Sequence, residues 1–149
     1  MRFRFSLETV LRLRQSLEDS ERQRLQILLA DRAQLQTEIG ETIASRAALG
    51  ARMISFLQQQ RLTGAEMQFA AQRVRACDLH SARLDASIAN LTKQIERQQA
   101  LLLRRRVDRK VLEQVRERQR SRYEAETQRR TQSQIEELFL LKREKVISN

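Results

Sequence analysis

The sequence predicts an all-α fold: a long two-helix antiparallel coiled-coil hairpin whose second helix is longer than the first. Three observations carry this. The 149 residues include no proline, no tryptophan and only three glycines, so the chain lacks the residues from which sheet proteins make their turns. Leu, Arg, Gln, Glu and Ala dominate, and all are strong helix formers. Apolar residues recur at heptad spacing in two blocks, separated by one credible break near residue 63. With only 4% aromatic residues and a mean hydropathy of −0.62, the core is expected to be a narrow seam between helices. The whole chain, 1–149, is read as one domain.

The first helix is expected over about residues 5–60. With Leu7 at d, the d series continues Arg14, Glu21, Leu28, Leu35, Thr42, Leu49 and Phe56. The a series is Leu11, Glu18, Leu25, Arg32, Ile39, Arg46 and Met53. Arg14, Glu18 and Glu21 interrupt the apolar pattern close together. Charges in a seam weaken pairing, and they either fix its register or leave that end free for another partner. Gly40 and Gly50 fall inside good heptads and are expected to be tolerated within the helix, at about 1 kcal/mol each.

The break is placed at residues 61–65. Thr63 can cap a new helix, with Glu66 three residues on, as in a capping box. Gly64 offers a place for the backbone to turn.

The second helix is expected over about residues 66–145. Its a series reads Met67, Val74, Ser81, Ile88, Ile95 and Leu102. Its d series reads Ala70, Cys77, Leu84, Leu91, Gln98, Arg105 and Leu112. The seam thins after Val115, and only Ala125 is apolar between Tyr123 and Ile135. The end, from Ile135 to Leu141, is apolar again. At 1.5 Å per residue the helices are about 80 and about 120 Å long, so the second overhangs. A turn near residue 63 brings Leu7 opposite the region of Tyr123 and both apolar ends to one tip.

No apolar run reaches the roughly 18 residues that suggest a membrane span, and the opening lacks the apolar stretch of a secretory leader. A single cysteine excludes an internal disulfide and fits the cytoplasm. The net charge is +10, and 25 of the 29 basic residues are arginine. Residues 93–130 alone hold thirteen basic and six acidic residues. Such a surface can attract nucleic acid, anionic membrane or acidic protein.

No catalytic, cofactor or metal site is expected. There is one histidine and no Gly-rich phosphate loop, and Cys77 with His80 supply only two potential ligands. Cys77 falls on a d position, where a small core residue fits. A two-helix seam offers no concave, water-excluding pocket.

Three surfaces are candidates for binding. The first is the tip, with Leu7, Val10, Leu11, Leu17, Ile135 and Leu138. These residues either close the hairpin or form an apolar docking end collared by Arg12 and Arg14, which suit bidentate contacts to acidic loops. The second is Phe69, Arg73, Ala76 and His80, whose spacings of four, three and four share one helical stripe beside the seam. They pack on the first helix or form a docking patch near the turn. The third is LLLRRRVDRK at 101–110, either a solvated face with arginine stems over the seam or a basic nucleic-acid surface. No aromatics interleave with it, so any such binding is expected to be salt-sensitive and non-specific.

The opening F-x-F-x-L-x-x-V-L-x-x-R, from Phe3 through Phe5 to Arg14, resembles the FliJ family of flagellar type III export proteins. The C-terminal IEELFLLKRE, with Glu136, Leu138 and Arg143 at matching places, is similar to that family's closing helix. The resemblance covers the whole chain in pattern, and its specific part lies at the two ends. It implies a non-enzymatic stalk, cytoplasmic and peripheral to the inner membrane at the flagellar base. Such a stalk binds the export ATPase FliI, promotes its hexamer and activity, and links it to the export gate protein FlhA and to export chaperones. The ATPase-facing end would be Phe3, Phe5, Leu7, Val10, Leu11 and Arg14 with Ile135, Glu136, Leu138 and Arg143. The gate-facing patch would be Phe69, Arg73, Ala76 and His80, with Arg73 standing where a continuous patch would have an apolar residue. The alternatives are the equivalent YscO-like stalk of a virulence secretion system and a basic coiled-coil nucleic-acid-binding protein.

Overall fold

A computed structural model describes residues 2–61 and 63–148. It is an antiparallel hairpin of two helices, α1 (Glu8–Gln58, 51 residues) and α2 (Gly64–Ile147, 84 residues). Among the described residues there is no strand. Contacts divide the chain into two compact units, one of Met1–Asp19 with Leu103–Asn149 and one of Ser20–Leu102.

The first unit is organised around Phe5, Leu11 and Leu112, all buried, with Phe3 and Val115 packed against them. Burying each of these three side chains contributes roughly 1.5–3 kcal/mol. Helix α1 begins at Glu8, not near residue 5. The segment before it is non-helical, so Phe3 and Phe5, two residues apart, fall on one side. Both pack onto α2, where the Phe3 and Tyr123 rings sit 5.5 Å apart at 48°. The amide of Glu8 donates to the Phe5 carbonyl at 3.2 Å and closes the turn. The residue that meets the Tyr123 ring is therefore Phe3, ahead of Leu7 in the non-helical segment.

The three charged seam positions are occupied rather than left open. Glu18 is 2% exposed. Its carboxylate accepts from Arg109 Nε and lies 3.5 Å from Arg106 Nε. Arg109 also donates to Glu113 at 2.8 Å. The hydrogen bond to Glu18, then that to Glu113, raises the Arg109 pKa above its ordinary value. One helical turn before Glu18, Arg14 Nη1 donates to the Asp108 carbonyl at 2.8 Å. A buried carboxylate is tolerable only when paired in this way.

In the second unit, Leu84, Ile95 and Leu102 are buried. Gln98 donates both to the Glu21 carbonyl at 3.0 Å and to its carboxylate. Helix α1 ends without glycine. Gln60 takes the left-handed conformation with φ 53°. Its amide donates to Leu57 O and the Arg61 amide to Phe56 O, both at 3.1 Å. This pair of bonds is the Schellman closure. Gly64 does not supply the turn, since no glycine among the described residues has positive φ. It is instead the first residue of α2. Thr63 and Glu66 form the reciprocal capping box, at 3.3 Å in each direction. Leu62 lies outside the described residues.

Candidate functional site

The residues expected to form the tip separate into two groups within the first unit. At the N-terminal end, Phe5 and Leu11 are buried in the core and Phe3 is half-buried. Phe5 and Leu11 hold the end together from within the core, while Phe3 keeps part of its ring open. Arg14 is likewise engaged, by the Asp108 carbonyl. Leu7 and Val10 are the exposed apolar residues of this group, joined by Leu13 at 58% exposure.

Beyond Tyr123, α2 is exposed at every described position to Ser148. Ile135 lies twelve residues past Tyr123, roughly 18 Å further along the helix. The two apolar ends therefore form two surfaces and not one tip. Ile135, Leu138, Phe139, Leu140, Leu141, Val146 and Ile147 are all exposed. Glu136 accepts from Gln132 at 3.1 Å, and Arg143 is exposed. Phe139, 72% exposed, was readable in the apolar run but not singled out.

The N-terminal end also carries a cleft of about 410 Å³ lined by Arg2, Phe3, Arg4, Phe5, Glu8, Arg12 and Arg116. Glu8 pairs loosely with Arg12 at 3.8 Å and with Arg116 at 3.6 Å. Sequence reasoning had no way to bring Arg116 to Arg2 and Arg4, because that needs the register of the hairpin.

In the second unit the stripe beside the seam is only partly gathered. Arg73, Ala76 and His80 line an open groove of about 530 Å³ with Glu38, Glu41 and Thr42 of α1. His80 Nε2 is 3.2 Å from Glu38. Phe69, one turn earlier, projects with 63% exposure. Arg46 and Asp78 bridge the same stretch of the hairpin. Cys77, on the seam, is half-buried.

In the basic run, Arg106 and Arg109 are committed to Glu18. Arg105 is half-buried, with its Nε buried and lacking a hydrogen-bond partner among the described residues. Arg104 and Lys110 remain exposed. Among the described residues, no group of three or more His, Cys, Asp or Glu could hold a metal ion. No helix there is long and apolar enough to cross a membrane.

No protein-family model, curated protein or solved structure matches this chain.

Proposed function

We propose that this protein is a FliJ-like stalk of the flagellar type III export apparatus. It binds the export ATPase FliI, promotes ring assembly and hydrolysis, and connects the ring to the gate protein FlhA and to export chaperones. It works in the cytoplasm, peripheral to the inner membrane at the flagellar base. The observation that carries this reading is the unpartnered, wholly exposed apolar stretch from Ile135 to Ile147. It lies on the longer helix of a two-helix hairpin whose opening and closing sequences resemble that family.

The mechanism is one of differential binding. A stalk on the axis of a six-fold ring contacts some subunits more than others and so biases their conformations. If it binds the assembled ring more tightly than free subunits, it shifts the equilibrium toward the ring. The contact residues on this reading are Leu7, Val10, Ile135, Leu138 and Phe139, with Arg12 and Arg143 available for acidic loops. Phe69, Arg73, Ala76 and His80 serve the gate.

The test is ATP hydrolysis by the flagellar export ATPase, titrated with this protein while light scattering follows ring assembly. Stimulation together with assembly is the expected result. A folded hairpin that neither binds nor stimulates sinks the proposal. Stimulation only of a virulence-type ATPase would move the assignment to the YscO-like stalk.

A further inference from the structure

We infer that the exposed C-terminal stretch of α2 pairs with the same stretch of a second copy of this chain, antiparallel, to give a weak dimer. This goes beyond the stalk reading and does not depend on it.

Ile135, Phe139, Lys142 and Val146 follow spacings of four, three and four, so they form one stripe along the helix. Ile135, Phe139 and Val146 are exposed at 54%, 72% and 73%. Nothing in the hairpin covers them, since every described residue from Glu124 onward is exposed.

The charges beside the stripe say what does. Glu136 and Arg143 are seven residues apart, so they lie on the same flank, about 90° round from the stripe. On one helix they are too far apart to pair, at roughly 10 Å of rise. Arg143 has no ion pair or hydrogen bond among the described residues. Glu136 has only an exposed bond from Gln132. When two copies pack antiparallel, like flank meets like flank. Ile135 then meets the second copy's Val146, and Phe139 meets its Lys142, whose ammonium can sit over the ring. On the flank, Glu136 meets the second copy's Arg143, twice by symmetry. On the opposite flank Leu138 meets the stem of the second copy's Lys145.

A parallel pair is disfavoured by the same residues. It would bring the Arg143 flank against the Lys145 flank, cation against cation, and leave Glu136 facing Leu138. Like charges across an interface reject a wrong geometry. The acidic-then-basic order of this segment therefore selects the antiparallel arrangement. A contact spanning only Ile135–Val146, roughly 17 Å of helix, buries less than the roughly 1,200 Å² of a stable interface. The dimer is concentration-dependent.

Sedimentation equilibrium of the full chain, with no ATPase present, tests this from about 10 μM to about 1 mM, the range in which weak interfaces populate. The expected result is a mass rising from 17.6 kDa toward twice that. Phe139→Asp, Glu136→Arg and Arg143→Glu should each leave a monomer, and the double reversal Glu136→Arg with Arg143→Glu should restore the dimer. These side chains are exposed, so circular dichroism should match the parent. A monomer throughout, or a dimer indifferent to Phe139→Asp, overturns the inference. Loss with Phe139→Asp but not with either charge reversal overturns the antiparallel pairing.

Discussion

Arg109 of α2 donates its Nε–H to the carboxylate of Glu18, a residue of α1 that is 2% exposed. The pair is 91 positions apart in sequence and sits in the seam, where an apolar residue would pack more cheaply. A buried ion pair adds little net stability, but breaking it leaves an uncompensated charge. Its evident use is to define which layer of α1 meets which layer of α2, as polar seam residues do in coiled coils.

Arg109→Leu should therefore destabilise the protein by about 2–3 kcal/mol, because the buried Glu18 loses the guanidinium that donates to it. Adding Glu18→Leu should recover most of that, since the carboxylate that Arg109 neutralised is then gone. Urea denaturation of the single and double variants measures both. A double variant as unstable as Arg109→Leu would count against a charge-burial origin.

The same pair sets a pH expectation. The Arg109 pKa is raised, by Glu18 first and Glu113 second. A raised cation pKa gives stability that is complete below the ordinary value and lost only as pH climbs through the raised one. Both the ordinary and the raised value lie in strongly alkaline solution. The stability gap between the parent and Arg109→Leu should thus show no titration of the guanidinium between about pH 6 and about pH 10.

Gln60→Gly should stabilise the hairpin by about 1 kcal/mol, since a non-glycine residue in the left-handed region carries a penalty of roughly 1–2 kcal/mol. The thermal midpoint should rise by several degrees. An unchanged or lower midpoint would mean that Gln60 carries an interaction worth as much as the strain.

Leu11→Ala and Leu138→Asp should separate folding from docking. Leu11 is 1% exposed, and its truncation should cost about 2–5 kcal/mol. Leu138 is 66% exposed, so Leu138→Asp should leave stability within about 0.5 kcal/mol of the parent. On the stalk reading, Leu138→Asp should lower ATPase stimulation with helix content unchanged. Phe69→Ala with His80→Ala should weaken gate binding and leave stimulation alone.

The seam was legible because heptad spacing survives the charged interruptions. Leu25, Leu28, Leu35 and Ile39 on α1, and Val74, Leu84, Ile88, Leu91, Ile95 and Leu102 on α2, are all half-buried or buried at the expected positions. Glu18 and Glu21 follow the same periodicity, although their burial could not be read without their partners. Arg109 and Gln98 reach them only once the hairpin register is known. The capping box at Thr63 was legible because both of its partners are local. The end of α1 was not, because the residue in left-handed conformation is Gln60 and no glycine marks it. The packing of the N-terminal end was not legible for a similar reason. Phe3 and Phe5 look like exposed ends in a linear sequence, but a non-helical start lets both fold onto Leu112, Val115 and Tyr123. The isolation of Ile135 follows from where the N-terminal segment stops, which spacing along α2 does not disclose.

The paired seam charges also constrain how this chain can change length. Seven residues inserted in α1 between Glu21 and Gln58 would push Glu18 out of step with Arg109 unless α2 gained seven between Gly64 and Gln98. Relatives with a longer or shorter arm should therefore differ by matched heptads on the two sides of the turn. The free end past Tyr123 is under no such tie and can lengthen by any number of residues. In this architecture the partner-seeking end can drift in size while the paired portion changes only in register-preserving steps.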